Sequence, residues 1–170
     1  GAAPIYGPEG NVHAFVARWK YPAEAVPPDR EWARSAQIIH AVAEKPEGPY
    51  ETKEVVVKGR EGDYWDNSGI LNPQIHYVDG QYVLLYIGAK NGKIFSQAIG
   101  MMTSESLNGP WKRVCDKEPL IQISPDENAF DSYLCNNPAF IKSPDGRYYL
   151  YYKGRSIADK MSSISPTDNI

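Results

Sequence analysis

Apolar and polar residues alternate along this chain in short runs, and the runs come in pairs joined by turn residues. The clearest pair is Asn72 to Gly88, NPQIHYVDGQYVLLYIG, broken in the middle by Asp79-Gly80. A period of two over four to eight residues predicts strands, and a two-residue Asp-Gly break predicts a tight hairpin with both turn residues at positive φ. The pattern recurs from Asn137 to Gly154, NPAFIKSPDGRYYLYYKG, 65 positions further on. Each copy starts with Asn-Pro, runs through an Asp-Gly turn and closes on an aromatic strand ending in Gly. An Asp stands six residues ahead of each Asn-Pro: Asp66 before Asn72, and Asp131 before Asn137. A repeated hairpin with a carboxylate at a fixed offset predicts a repeat architecture with equivalent corners. No long segment carries the 3.6-residue period of a helix.

A third, degenerate copy opens the chain. A short strand over Ala3 to Tyr6 meets the turn Gly7-Pro8-Glu9-Gly10 and continues as Val12 to Trp19, with Pro8-Glu9-Gly10 echoing Pro144-Asp145-Gly146. Further strands follow in SAQIIHAVAEKPEGPY from Ser35 and in QAIGMMTSESLNGPW from Gln97. Each leads to a Gly-Pro-aromatic turn, Gly48-Pro49-Tyr50 and Gly109-Pro110-Trp111, 61 residues apart, and then to an outer strand. The predicted unit is therefore four antiparallel strands, which is what a β-propeller blade requires. The fold class is all-β, with about two and a half blades. Boundaries fall at about 1–60, 62–120 and 134–154, making one partial propeller domain over 1–154. Residues Lys20 to Arg34, with three prolines and many charges, read as a long excursion at the edge. Residues 155–170 read as a polar tail without a strand pattern. Gly80 and Gly146 are both expected in two-residue turns.

Composition sharpens this picture. Twelve tyrosines and four tryptophans favour sheet and supply flat faces for ligand stacking. A net charge of −3 with no basic stripe argues against nucleic acid as partner. The apolar runs are too short to cross a membrane as helices. Cys115 and Cys135 have no metal-ligand spacing and read as free, partly buried thiols. The cellular compartment stays open.

Taken together, the repeated Asn-Pro, Asp-Gly-x-Tyr and Gly-Pro-aromatic motifs resemble those of the five-bladed propeller glycosidases related to glycoside hydrolase family 43. A branch with His-Ala-Phe-x-x-Arg-Trp is more similar still, here His13-Ala14-Phe15-Val16-Ala17-Arg18-Trp19. It also shows Trp65-Asp66 ahead of Asn72-Pro73, and Phe130-Asp131 ahead of Asn137-Pro138 and Tyr152-Lys153-Gly154. The likeness covers about residues 3 to 154 and implies part of a five-bladed arrangement. It also implies an inverting mechanism with an Asp base, an orienting Asp and a Glu acid on successive blades. This chain departs from that pattern: Ala2 to Tyr6 holds no acidic residue, and the next two positions are Asn72 and Asn137. Asn can bind a sugar hydroxyl but cannot transfer a proton.

Asp66 and Asp131 are then the candidate acid and base, expected to approach one funnel from adjacent blades. An equal reading has each Asp capping the turn before its strand. Inversion needs carboxyl groups about 6.5–9.5 Å apart and double displacement about 5–5.5 Å. Candidate substrate-binding residues are His13, Arg18, Trp65, Asn72, Asn137 and Lys153. His13 faces either the funnel or a structural partner. Arg18 suits a substrate carboxylate or a blade-to-blade ion pair. Trp65 is either a sugar platform or a core ring, and Lys153 closes its strand near the pocket mouth. The tyrosines from Tyr148 to Tyr152 read mainly as blade packing. No metal site is expected from these residues and no cofactor, a structural calcium ion being the one exception left open.

The expected function is hydrolysis of glycosidic bonds in plant or algal oligosaccharides by a carboxylate pair. The alternative is a non-catalytic carbohydrate-binding protein or a truncated propeller relic that assembles as an oligomer. The unfinished third blade predicts a homodimer, since an unpaired strand edge recruits another chain.

Overall fold

The computed structural model describes residues 1–19, 35–93 and 96–158, and the excursion expected over Lys20 to Arg34 lies wholly outside them, as does most of the tail. Among the described residues, three antiparallel sheets follow one another along the chain. The first holds β1 (Ala2–Tyr6), β2 (Val12–Arg18), β3 (Gln37–Ala43) and β4 (Glu51–Val57) in sequence order. The second repeats it with β5 (Ile70–Val78), β6 (Gln81–Gly88), β7 (Ala98–Ser104) and β8 (Lys112–Arg113). The third has two strands, β9 (Leu134–Lys142) and β10 (Tyr148–Arg155). Two four-stranded blades and the inner half of a third are what the hydrophobic periodicity predicts.

Burial explains the packing. Phe15 and Ile38 of the first blade are fully enclosed, as are Ile70, Leu84 and Tyr86 of the second, and all belong to one cluster between the two sheets. These side chains are drawn from successive strands of both sheets, so the two blades stack face to face. The second and third blades are held by polar contacts as well. Cys135 N–H donates to the Gln97 carbonyl at 3.1 Å, and the Asn136 side-chain amide donates to Gln97 Oε1 at 2.9 Å.

The inner strands β1, β5 and β9 start side by side. Gly1, just before β1, lies so near Asn72 that a Cβ placed on it would sit 3.2 Å from Asn72 Oδ1. Asn72 Nδ2 donates in turn to Asn137 Oδ1 at 2.7 Å. The opposite ends carry the hairpins, where Lys142 and Tyr148 of the third blade both reach Asp79 of the second. All three inner strands therefore run the same way, with the loops bearing Asp66 and Asp131 at the starting end.

The hairpins differ in a way that proline explains. Asp79 (φ 49°) and Gly80 (φ 85°) form the expected two-residue turn, with Val78 opposite Gln81. The turn at Gly146 is not a two-residue one. There Gly146 N–H donates to the Ser143 carbonyl at 2.9 Å and Ser143 N–H to the Arg147 carbonyl at 2.8 Å, so the loop spans Ser143 to Arg147. Pro144 has no N–H for the narrow cross-strand pair that a two-residue turn needs, and it suits the second position of a four-residue turn instead. Gly10 and Gly7 make the same two bonds, to Gly7 and Asn11, at 3.0 and 2.8 Å. The echo between Pro8-Glu9-Gly10 and Pro144-Asp145-Gly146 is thus a shared turn. A second difference is Arg155, which belongs to β10 rather than to the tail, because it pairs with Leu134 and its carbonyl accepts from Tyr133 N–H at 2.8 Å.

Gly80 offers a clean test of the first turn. A Cβ there would meet nothing within 4 Å, so any penalty comes from the backbone alone. Gly80→Val is expected to cost about 1–2 kcal/mol, since a β-branched residue is strained at positive φ. Thermal unfolding should show it as a drop of about 2–4 °C per kcal/mol. An unchanged midpoint would refute the turn assignment.

Candidate functional site

At the starting end of the inner strands, Asn72 and Asn137 hold matching positions. Both have positive φ, 46° and 49°, a conformation that Asn tolerates better than other side-chain-bearing residues. Each sits where its strand slips register against its partner, between Leu71 and Gln74 on β5 and opposite Tyr151 and Lys153 on β9–β10. Such a bulge re-aims a side chain, and Pro73 and Pro138, which lack an N–H to leave unpaired, suit the extra position. The two amides meet at an open end of the sheets. Arg18 and Trp19 stand near this end, since Ala17 N–H bonds the Gly1 carbonyl at 2.9 Å. Both are exposed, Trp19 by half. Lys153 is exposed opposite Asn136.

Asp66 is placed differently from what proton transfer requires. It is fully buried. Arg60 Nε donates to Oδ1 at 2.6 Å, Arg113 Nε to Oδ2 at 3.2 Å, and Tyr86 Oη to Oδ2 at 3.0 Å. Arg60 also holds Asp116, through Oδ1 at 2.7 Å and its carbonyl at 2.8 Å, and Arg113 donates to the Lys58 carbonyl at 3.0 Å. The carboxylate therefore ties the loop after β4 to β6 and β8. Burial and then the Asp66 charge drive the Tyr86 hydroxyl far above its usual range. The expectation that Asp66 opens on a funnel meets this enclosure: two guanidiniums and a phenol occupy the space a substrate would need.

Asp131 repeats the arrangement in outline. Tyr152 Oη donates to its Oδ2 at 2.7 Å, as Tyr86 does to Asp66. That bond is the main reason the Tyr152 hydroxyl is pushed up to about 12. Cys135 is buried beside it, and burial followed by the Asp131 charge pushes its thiol up to about 11, so it stays a neutral, unreactive thiol. The aromatic before each Asp lies over the glycine at or next to the end of its blade's second strand. A Cβ on Gly88 would strike Trp65 Cζ3 at 2.5 Å, and one on Gly154 would strike Phe130 Cδ2 at 2.6 Å. Trp65 stacks on Tyr86 at 5.8 Å and packs against the core, which makes it a blade ring rather than a sugar platform.

His13 also turns inward. It is buried in β2 close to the hairpin end, and its Nδ1 lies 2.8 Å from Nε2 of His40, which is wholly enclosed. The rings stack at 4.9 Å. His13 therefore pairs with His40 inside the first blade, at the end remote from Asn72. It also edges a cavity of about 360 Å³ between Glu9, Lys53 and Glu105. Among the described residues, no group of three or more His, Cys, Asp or Glu side chains is placed to hold a metal ion, so no residue is assigned to calcium.

Solved structures with this arrangement of strands identify the architecture. A family 117 glycoside hydrolase from the marine bacterium Zobellia galactanivorans matches 90% of this chain with 47% of its own, at a TM-score of 0.69 and 19% identity. The fold is that of half a glycosidase propeller. A family 43 β-xylosidase/α-arabinofuranosidase from a compost microbial metagenome matches with a TM-score of 0.60 and 22% identity, over 90% of this chain and 42% of that one. An endo-arabinase from Bacteroides thetaiotaomicron gives 0.59 and 12%, over 89% and 43%. The chain thus spans less than half the length of each of these five-bladed propeller hydrolases. Sequence comparison finds no match, either to a family model or to a curated protein.

The partners Arg60, Arg113 and Tyr86 are not among the residues the sequence singles out, and Tyr152 is read there only as blade packing. For the tyrosines a signal existed. They stand 20 and 21 residues after their aspartates, the one-residue difference being the longer turn at Pro144. For the arginines no repeat signal exists, because among the described residues only the second blade joins an Asp corner to outer strands.

Proposed function

We propose that this half-propeller binds carbohydrate at the open end of its inner strands, with Asn72 and Asn137 as the central contacts. The observation that carries this reading is the pair of bulged asparagines, 2.7 Å apart and directed at each other from adjacent inner strands. An amide presents both donors and an acceptor, which suits the mixed donor and acceptor character of a sugar hydroxyl. Trp19, half exposed near the same end, offers a flat face for a pyranose or furanose ring, and Arg18 suits an acidic sugar. Binding is favoured over hydrolysis because hydrolysis needs one carboxylic acid to protonate the leaving group and a second carboxylate free to activate water or to attack the anomeric carbon. Asp66 is enclosed by cations, and Asp131 is engaged by Tyr152.

Because the solved relatives include xylosidases and arabinanases, xylo- and arabino-oligosaccharides are the first ligands to titrate. Calorimetry should show binding without turnover. Asn72→Ala and Asn137→Ala should each weaken it about tenfold, the loss of roughly one hydrogen bond. Unchanged affinity in the double variant would overturn the assignment. Turnover of aryl glycosides that disappears in Asp131→Asn would instead establish the hydrolytic reading.

A further inference from the structure

At the hairpin end, remote from Asn72, the turn after β1 and the chain leaving β7 both border the cavity of about 360 Å³. His13 lines it while being only 4% exposed, and its Nδ1 is taken by His40 Nε2 at 2.8 Å. Its Nε2 makes no hydrogen bond among the described residues. Asn11, which also lines the cavity, has its Oδ1 buried without a partner among them. A Cβ on Gly7 would lie 2.3 Å from Asn11 Oδ1 and 2.8 Å from His13 Nε2, so these two atoms are neighbours under that turn. Buried polar atoms are nearly always hydrogen-bonded, so this pair points to a ligand. The tautomer follows from His40. Its Nδ1 is buried without a partner, and an N–H there would be an orphaned donor, costlier than a bare ring lone pair. The His40 proton therefore sits on Nε2 and is donated to His13 Nδ1, which leaves the His13 proton on Nε2. Burial lowers the His13 pKa against the opposing charge of Glu9, so the ring is neutral at pH 7.

The rim of the cavity is acidic. Glu9 of the first blade and Glu105 of the second both line it, and neither has an ion pair or hydrogen bond among the described residues. Lys53, on the same rim, is held by Glu51 at 2.7 Å. Tyr82 supplies an aromatic wall, its ring packed on Tyr77 with centroids 4.7 Å apart. We propose that this cavity is a second ligand site, which takes a small protonated amine bearing a hydroxyl group, as amino sugars and amino alcohols do. The ammonium is drawn to Glu9, Glu105 and the Tyr82 ring. The hydroxyl accepts from His13 Nε2–H and donates to Asn11 Oδ1, satisfying both stranded atoms at once. An uncharged polyol would leave the carboxylates without a cation, and an alkylamine without the hydroxyl would leave His13 and Asn11 unpaired. The volume suits a ligand of this size, since small-molecule sites start at about 300 Å³. This site and the asparagine pair lie at opposite ends of the inner strands, so neither assignment rests on the other.

The test titrates D-glucosamine and ethanolamine into the full chain, with D-glucose as the uncharged match to the first, and follows the imidazole nitrogens by NMR. The chain holds three histidines, so their signals are readily told apart. Glucosamine should shift the His13 Nε2 signal, and glucose should bind at least about tenfold more weakly, having no charge for the carboxylates or the ring. Glu9→Gln and Glu105→Gln, both at exposed positions, should each weaken glucosamine binding about fivefold. Asn72→Ala should leave it unchanged, which separates this site from the one at the other end. Tighter binding of glucosamine than of ethanolamine assigns the amino sugar, and the reverse assigns the amino alcohol. Equal binding of glucose and glucosamine, no His13 shift with either amine at millimolar concentration, or full affinity in the double Glu→Gln variant would overturn the proposal. So would a spectrum of the free protein that places the His13 proton on Nδ1. That spectrum needs no variant, so it remains decisive whatever the substitutions do to folding.

Discussion

Asp66→Ala is expected to destabilise the protein by about 3–5 kcal/mol, the penalty for breaking a buried ion pair from one side. Three groups converge on this carboxylate, and the change would strand all of them: Arg60, Arg113 and the buried Tyr86 hydroxyl. Both guanidiniums are mostly covered, with side-chain exposures of 12% and 21%, so water replaces the lost partner poorly. A domain is typically stable by only about 5–15 kcal/mol, so this variant should sit near or past the edge of folding. Asp131→Ala is the internal control. Among the described residues its carboxylate accepts from the Tyr152 hydroxyl and, weakly, from the Cys135 thiol at 4.0 Å, with no guanidinium on it, so the same change should cost about 1–2 kcal/mol. Urea midpoints of the two variants decide the matter. Equal losses would mean that the arginines contribute nothing at Asp66 and that its geometry does not describe a structural latch.

Much of this fold is legible in the sequence because β-structure writes its period locally. The hairpin at Asp79-Gly80 can be read from four residues, since positive φ restricts what can stand there. The echo of Pro8-Glu9-Gly10 in Pro144-Asp145-Gly146 survives as an identical set of backbone bonds. What the second turn hides is that one missing N–H lengthens the loop, and that depends on pairing across strands rather than on the turn residues alone. The site was less legible. The six-residue offset of Asp66 and Asp131 correctly marks equivalent corners, but the same repeat serves a proton-transferring group and a strand latch alike. Only the three-dimensional meeting of Asp66 with Arg60, in the loop 6 residues before it, and Arg113, on β8 47 residues after it, separates the two. His13 is a similar case. Its alternation with Phe15 and Arg18 says that some of these side chains face inward, but not that the inward one meets His40.

The His13–His40 pair should make the protein acid-sensitive in a window that carboxylates alone would not produce. His40 is fully enclosed, and burial, then the His13 charge and then that of Lys53 lower its pKa from 6.5 to about 4. Burial lowers His13 as well, partly opposed by the charge of Glu9. With His13 Nδ1 and His40 Nε2 2.8 Å apart, one of them must be a neutral nitrogen accepting from its partner's N–H, and two protonated rings would point like charges at each other. The sign follows from linkage. The folded-state value lies below the unfolded one, so the unfolded chain binds more protons as pH falls through about 6.5. Stability is fully present above that value, declines as pH drops toward 4, and is lost at a limiting rate of about 1.4 kcal/mol per pH unit for this group. The expected total is roughly 3 kcal/mol. Denaturant midpoints at several pH values between 7 and 4 measure the slope directly. His40→Gln keeps a side chain able to bond His13 Nδ1 but removes the titrating ring, so its stability should fall less steeply over the same range. If wild-type and His40→Gln lose stability in parallel, the acid response comes from the carboxylates, and the buried histidines carry no share of it.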